Sequence, residues 1–371
     1  MSHSPTASPS RKSMLLLSRL LLSPAFADAA TASKSSLLDS ELLNIQREDF
    51  AQLVALASSN HVIVRGLVRF LESTQNRKDE ERAWWAEEAL AAERARINRA
   101  IPMLRAICTA LEEEKHHAVV IKSLDHWPDL GSDLDLFTTA APEVVLELMK
   151  RRFEASLAHR SWGDRLARKW NFLIPGLPEA VEIHVGRLGQ TGEQTVLASS
   201  VARRARQIQI DGIPFRVPHV SDRLMISTLQ RMYRHFYFRL CDIVDSAELI
   251  ETGAIDYEDL QSAATAAGIW EGVATYLVIV ADYVGQYRGA GLHLPNEVIA
   301  AARFGGEKIF YAKEFLRVPI LPQSAGLYGS QLGGLLRKGE LESSVRLGLL
   351  PALAGAALVG QKITGSDKGI W

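Results

Sequence analysis

Cysteine is almost missing from this chain: Cys108 and Cys241 are the only two in 371 residues. They sit in helix-like segments without metal-ligand spacing, which argues against a disulfide framework. Both read as buried, reduced thiols. Net charge is nearly absent too, at −1. No global field draws the chain towards nucleic acid, and a nucleic-acid partner is not expected. Long apolar runs are also missing. The most apolar stretch, residues 347–359, contains Pro351 and is shorter than the ~20 residues of a membrane span. It reads as a core or partner-packing helix, and peripheral membrane contact is the less favoured reading. No basic run is interleaved with aromatics in the manner of an RNA platform.

Apolar residues are abundant, at 47%, enough for a sizeable core and for two domains or one domain with a helical extension. At the N-terminus, Arg11 and Lys12 precede the apolar residues 14–22, and Ala25-Phe26-Ala27 follows. That order imitates an export signal, but Arg19 interrupts its apolar centre. Residues 1–36 therefore read as a disordered or docking leader ending in a Ser/Ala-rich linker. The remaining divisions are a helical region over 37–114, an α/β core over 115–218, a helical domain over 219–305 and a C-terminal extension over 306–371.

Periodicity gives two helices within 37–73 and a long helix over 79–114, with Pro102 as a kink. Strands are expected at 118–122, 132–137, 170–174 and 181–185, the last two joined by the Pro175-Gly176 turn. Pro142 opens a helix with Thr138 or Thr139 near its cap. Asp211-Gly212 marks a hairpin between 207–210 and 214–217. One helix is expected over 222–250, capped by Ser221, followed by helices at 257–267, 270–288 and 296–302. The fold class is α+β.

The run Gly131-Ser132-Asp133-Leu134-Asp135-Leu136-Phe137 alternates carboxylates with apolar residues. On a strand, Asp133 and Asp135 share one face, about 6–7 Å apart at Cα. Such a pair repels itself unless a cation intervenes, and hard oxygen ligands suit Mg²⁺ beside phosphates. Ser123 ends a strand-like run ten residues before Asp133, and Glu182 stands in another such run, Val181-Glu182-Ile183-His184.

This ordered set resembles the nucleotidyltransferase superfold, the polymerase-β-like group. The resemblance is closer to a bacterial group of nucleotidyltransferase family proteins whose strands read Leu-Lys-Gly, Asp-Ile-Asp-Leu and Ile-Asp-Leu-His. The matching stretches are Ile121-Lys122-Ser123, Asp133-Leu134-Asp135-Leu136 and Val181-Glu182-Ile183-His184, within roughly residues 85–300. Lys122 stands where the first glycine of Gly-Ser is usual, and Glu182 where aspartate is usual. The resemblance implies a small mixed-sheet core and transfer of an NMP from an NTP, ATP being expected, to a small-molecule or protein hydroxyl. It implies two Mg²⁺ ions, with Mn²⁺ as an alternative, held by Asp133, Asp135 and Glu182. Lys122, Ser123, Ser132 and Arg239 are the expected nucleotide contacts, and a cytoplasmic location follows from the need for nucleotide. The two departures carry an alternative, an inactive nucleotide-binding or scaffold protein. A kinase-like attack on another phosphorus is a further alternative.

Three more polar residues draw attention. His235, Arg239 and Asp242 fall at i, i+4 and i+7, one face of the helix expected there. With His184, His235 and Asp242 are candidates for orienting the site or contacting the acceptor. Arg203, Arg204 and Arg206, with Arg165, Arg168 and Lys169, form a basic cluster that reads as a solvated face or an anion-attracting surface.

Overall fold

The computed structural model describes residues 9–23, 42, 44–161, 164–165, 167–188 and 193–349. The Ala25-Phe26-Ala27 segment, the Ser/Ala-rich linker and nearly all of the apolar 347–359 stretch lie outside the described residues.

Helix α1 (Pro9–Leu22) buries Met14, Leu17, Leu20 and Leu22. Its Ser18 hydroxyl lies 2.9 Å from that of Tyr283. Three helices follow: α2 (Arg47–Ser59), α3 (Ile63–Gln75) and α4 (Glu80–Glu113). Close packing of α1 on α3 depends on Gly66, since a Cβ there would stand 2.9 Å from Leu17. Asp79 caps α4 by accepting from the Arg82 amide. That helix continues through Pro102, where the buried Ile101 and Leu104 hold it to the core. The expected kink does not divide it.

The principal sheet has the order β1-β2-β5-β4-β3, from β1 (Ala118–Val120), β2 (Asp133–Thr138), β3 (Ser156–Leu157), β4 (Lys169–Leu173) and β5 (Ala180–Val185). Only β2 and β5 are parallel; the other neighbours are antiparallel. Helix α5 (Pro142–Phe153) joins β2 to β3, and Ala141 occupies its cap position, not a threonine. The Thr138 hydroxyl instead accepts from the Ala140 amide. After α6 (Glu193–Arg204), β6 (Arg206–Ile210) and β7 (Ile213–Val217) form the expected hairpin. Asp211 and Gly212 both take positive φ, 48° and 79°, as a tight two-residue turn of this hand requires.

The expected helix over 222–250 is two helices. Helix α7 (Val220–Tyr233) stops, Phe236 adopts φ 54°, and Tyr237–Phe238 forms β8 before α8 (Leu240–Glu251). One tertiary pairing and one local cap override the helical periodicity. β8 pairs with β10 (Phe315–Arg317), which also pairs with β9 (Phe310–Ala312). The Asp242 carboxylate accepts from the Arg239 amide at 2.7 Å and starts the second helix. His235, Arg239 and Asp242 therefore do not share one helical face. Helices α9 (Tyr257–Ala266), α10 (Trp270–Arg288), α11 (Asn296–Ala301) and α12 (Ala325–Arg337) complete the described chain. The architecture is α+β, and a continuous apolar core runs from α1 through the sheet to α10. Among the described residues no helix is long and apolar enough to cross a membrane.

Candidate active site

Parallel pairing of β2 with β5 sets Asp135 directly opposite Glu182, with Asp133 two residues back on the same strand. Ligand atoms of Asp135, Glu182 and His184 all lie within 4.8 Å of one another. Asp133 is the exposed member, and the Ser132 hydroxyl donates to it at 3.3 Å. These residues line a cavity of about 260 Å³ whose lining also includes His61, His126, Arg231, Arg234, His235 and Arg239.

Ser123 serves this arrangement from behind. Its hydroxyl donates to the Asp133 carbonyl at 3.1 Å and accepts from the Asp135 amide at 2.7 Å. The buried side chain thus fixes the strand that carries both aspartates, and its one proton is already committed. A role for this hydroxyl in gripping phosphate, expected from the sequence, does not fit that bonding.

Lys122 takes the position of a cation. The Ser123 amide donates to the Ile121 carbonyl at 2.7 Å across Lys122, which has φ 63°. This is a γ-turn with its central residue in a region that disfavours side chains. Glycine would adopt it freely. The turn throws the ammonium between the carboxylates. It forms an ion pair with Asp135 Oδ1, which has no aligned hydrogen bond of its own, and lies 3.3 Å from Glu182 Oε1. A second ammonium, of Lys169, lies 2.8 Å from both Glu182 Oε2 and Asp164 Oδ1.

Charge is divided unequally between the facing carboxylates. Burial raises the Asp135 carboxyl well above its ordinary range, against the pull of Lys122. Burial works the same way on Glu182, yet Lys122, His184 and Lys169 hold it well below the ordinary value. One of the pair therefore keeps its charge more readily than the other. Burial, with the charge on Glu182, also raises Asp133. Burial pushes the His184 imidazole down to about 4, so it is neutral at pH 7. Its Nε2 lies 2.9 Å from Glu182 Oε1 and donates to it. Nδ1 is then left with a lone pair, buried and without a partner.

The chain matches no protein-family model and no curated protein. Its chemistry is read from the cavity itself.

The cavity's other side chains include residues that sequence reasoning missed. His126 Nδ1 meets Asp245 Oδ2 at 2.5 Å, and His126 Nε2 lies 3.7 Å from Cys241 Sγ. Arg65 clamps Asp129 and Asp245, each at 2.6 Å. Arg239 lines the cavity beside His61, its Nη1 3.4 Å from His61 Nδ1, and its Nε has no hydrogen-bond partner. His235 also lines the cavity, and burial beside Arg231 holds it well below the ordinary histidine range. Asp242 does not line it. This carboxylate caps α8 and pairs with Arg231 Nε at 2.7 Å, so it is committed and is not an acceptor contact. The basic cluster is divided as well. Lys169 turns into the cavity, and Arg204 grips Asp259 of α9 at 2.6 and 2.9 Å. The local signal for the missed wall was weak: His126 lies in a polar turn, and Cys241 precedes Asp245 by one helical turn.

Proposed function

We propose that this protein is a Mg²⁺-dependent nucleotidyltransferase that moves an NMP from an NTP to a hydroxyl of a small molecule or protein. The observation that carries this reading is the Asp135–Glu182 register beside Asp133, in one cavity with a guanidinium that has no carboxylate partner among the described residues.

The donor set fits the ion. The carboxylates are hard oxygen ligands, and the Lys122 ammonium already stands as a cation between two of them. Asp133, Asp135 and Glu182 would hold it. When bound, the ion neutralises triphosphate charge and activates the incoming hydroxyl. The chain's own residues do the rest. Arg239 and Lys122 supply fixed positive charge for the triphosphate. Glu182 is held charged by three cationic or donating neighbours, which suits a ligand better than a general base. In the transfer, a bond forms from the acceptor oxygen to the α-phosphorus, the α–β bridge bond breaks, pyrophosphate leaves, and the hydroxyl proton passes to solvent.

The test is incubation of purified protein with each radiolabelled NTP, Mg²⁺ and an acceptor pool, with mass spectrometry of the products. Addition of NMP that disappears in the Asp133→Asn, Asp135→Asn double variant supports the reading. Pyrophosphate release unaffected by the double variant overturns it, and addition of phosphate alone assigns a kinase-like reaction.

The position of Lys122 favours a second reading, a nucleotide-binding protein without turnover. An ammonium wedged between Asp135 and Glu182 competes with a metal for the same place. Calorimetry that finds NTP binding with no product across the acceptor pool would select it.

A further inference from the structure

Two imidazoles of the same cavity, His61 and His126, and a thiol buried behind them, Cys241, play no part in that reaction. We propose that His61, His126 and Cys241 form a second metal site, selective for a borderline-soft ion, Zn²⁺, and distinct from the carboxylate site.

The geometry is that of a site before its ion arrives. Ligand atoms of the three residues all lie within 4.8 Å of one another. Zinc held at about 2.3 Å from sulfur and about 2.0–2.1 Å from nitrogen in a tetrahedron separates the two ligands by about 3.6 Å. Cys241 Sγ and His126 Nε2 are 3.7 Å apart. The outer shell is in place too. His126 Nδ1 lies 2.5 Å from Asp245 Oδ2, which aims Nε2 at Cys241. A carboxylate behind a ligating imidazole is the usual support for zinc. Asp245 is itself held by Arg65 at 2.6 Å.

The chemistry of the donors separates this site from its neighbour. One thiolate and two imidazoles are poor ligands for Mg²⁺ and good ones for Zn²⁺. Binding the ion would require Sγ and Nε2 to be free of protons, and any proton they carry would leave to solvent. Three protein ligands leave the fourth tetrahedral position for water or a bound ligand, and both imidazoles line the cavity from which either would come. Cys241 and His126 are buried, so the ion enters from the cavity side, past His61.

The test uses full-length protein, stripped with chelator and titrated with Co²⁺ as a spectroscopic probe. The expected result is one equivalent bound, with visible d–d bands of a tetrahedral ion and a near-ultraviolet thiolate-to-metal band. Cys241→Ser should lose that near-ultraviolet band and Cys108→Ser should keep it. X-ray absorption of the zinc-loaded wild type, which needs no variant, should fit one sulfur neighbour. The Asp133→Asn, Asp135→Asn double variant should keep the whole spectrum, so failure of nucleotidyl transfer and failure of this site are separately visible. No thiolate band at saturating Co²⁺, a band that survives Cys241→Ser, or zinc scattering from nitrogen and oxygen alone overturns the proposal.

Discussion

The cavity sets two kinds of polar construction side by side. Its carboxylates come from adjacent strands and are positioned by the sheet's own hydrogen bonds. Two of its imidazoles, His61 and His126, and the thiol of Cys241 buried behind them come from separate segments, with His126 held by a buried pairing to Asp245. In the first construction cations restrain anions: Lys122 and Lys169 against Asp135, Glu182 and Asp164. In the second, anions restrain cations: Asp129 and Asp245 against Arg65, and Asp125 against Arg223. The backbone can place a charge cheaply where strand register does the work. Where register is absent, each charge needs a dedicated partner, and loss of one strands the other.

Substitutions can break that contrast. The largest effect is expected on activity. Changing Asp133 and Asp135 together to Asn should lower nucleotidyl transfer by on the order of 10³-fold, through lost stabilisation of developing phosphate charge, with the fold retained. Initial rates and a circular dichroism spectrum check both halves of that statement. In the second construction the effect is on stability instead. Asp245→Ala leaves His126 buried without its carboxylate and Arg65 with Asp129 alone, and should cost about 3–5 kcal/mol in urea unfolding.

Acid should act through the first construction next. His184 takes a proton near pH 4 in the folded protein and near 6.5 when unfolded. Between those values only the unfolded chain gains the proton. Stability contributed by this residue is therefore complete above pH 6.5 and is lost as pH falls towards 4, by on the order of 3 kcal/mol. His61 and His235, also held low by burial, steepen the same decline, and His126, held high beside Cys241 and Asp245, opposes it. Unfolding of wild type and His184→Gln across this window isolates the one contribution. A slope identical in both would remove His184 from the account.

Arg239→Ala should weaken NTP binding by about 10–100-fold, the worth of a hydrogen bond to a charged group, read by calorimetry at fixed salt. The smallest effect tests the strained turn. Lys122→Gly and Lys122→Met both lose the ammonium, but only glycine accepts φ 63° without cost. The glycine variant should be more stable than the methionine variant by about 1 kcal/mol.

The same contrast explains how much could be read in the sequence. The strands carrying Asp133, Asp135 and Glu182 were legible because strand period is local; the parallel register that sets Asp135 opposite Glu182 was not. The Asp211-Gly212 hairpin was legible for the same reason. The break between α7 and α8 was not. The apolar pattern through Phe236 and Leu240 suits a helix, and the partner that makes Tyr237–Phe238 a strand lies some eighty residues away, at Leu316. The roles of Ser123 and Asp242 were misread because a sequence lists polar groups without showing which are already bonded. His61, His126 and Cys241 lie too far apart for any spacing rule.

The docking of α1 has a consequence for how the chain is made. Its apolar face rests on α3 and α10, and its Ser18 meets Tyr283 across 265 residues. During synthesis this helix emerges well before α10. Until α10 arrives, the helix has only part of its cover. The helix is then an exposed amphipathic segment of the kind that chaperones bind and membranes attract. A contact that helps close the folded molecule also leaves part of the nascent chain uncovered until α10 is made.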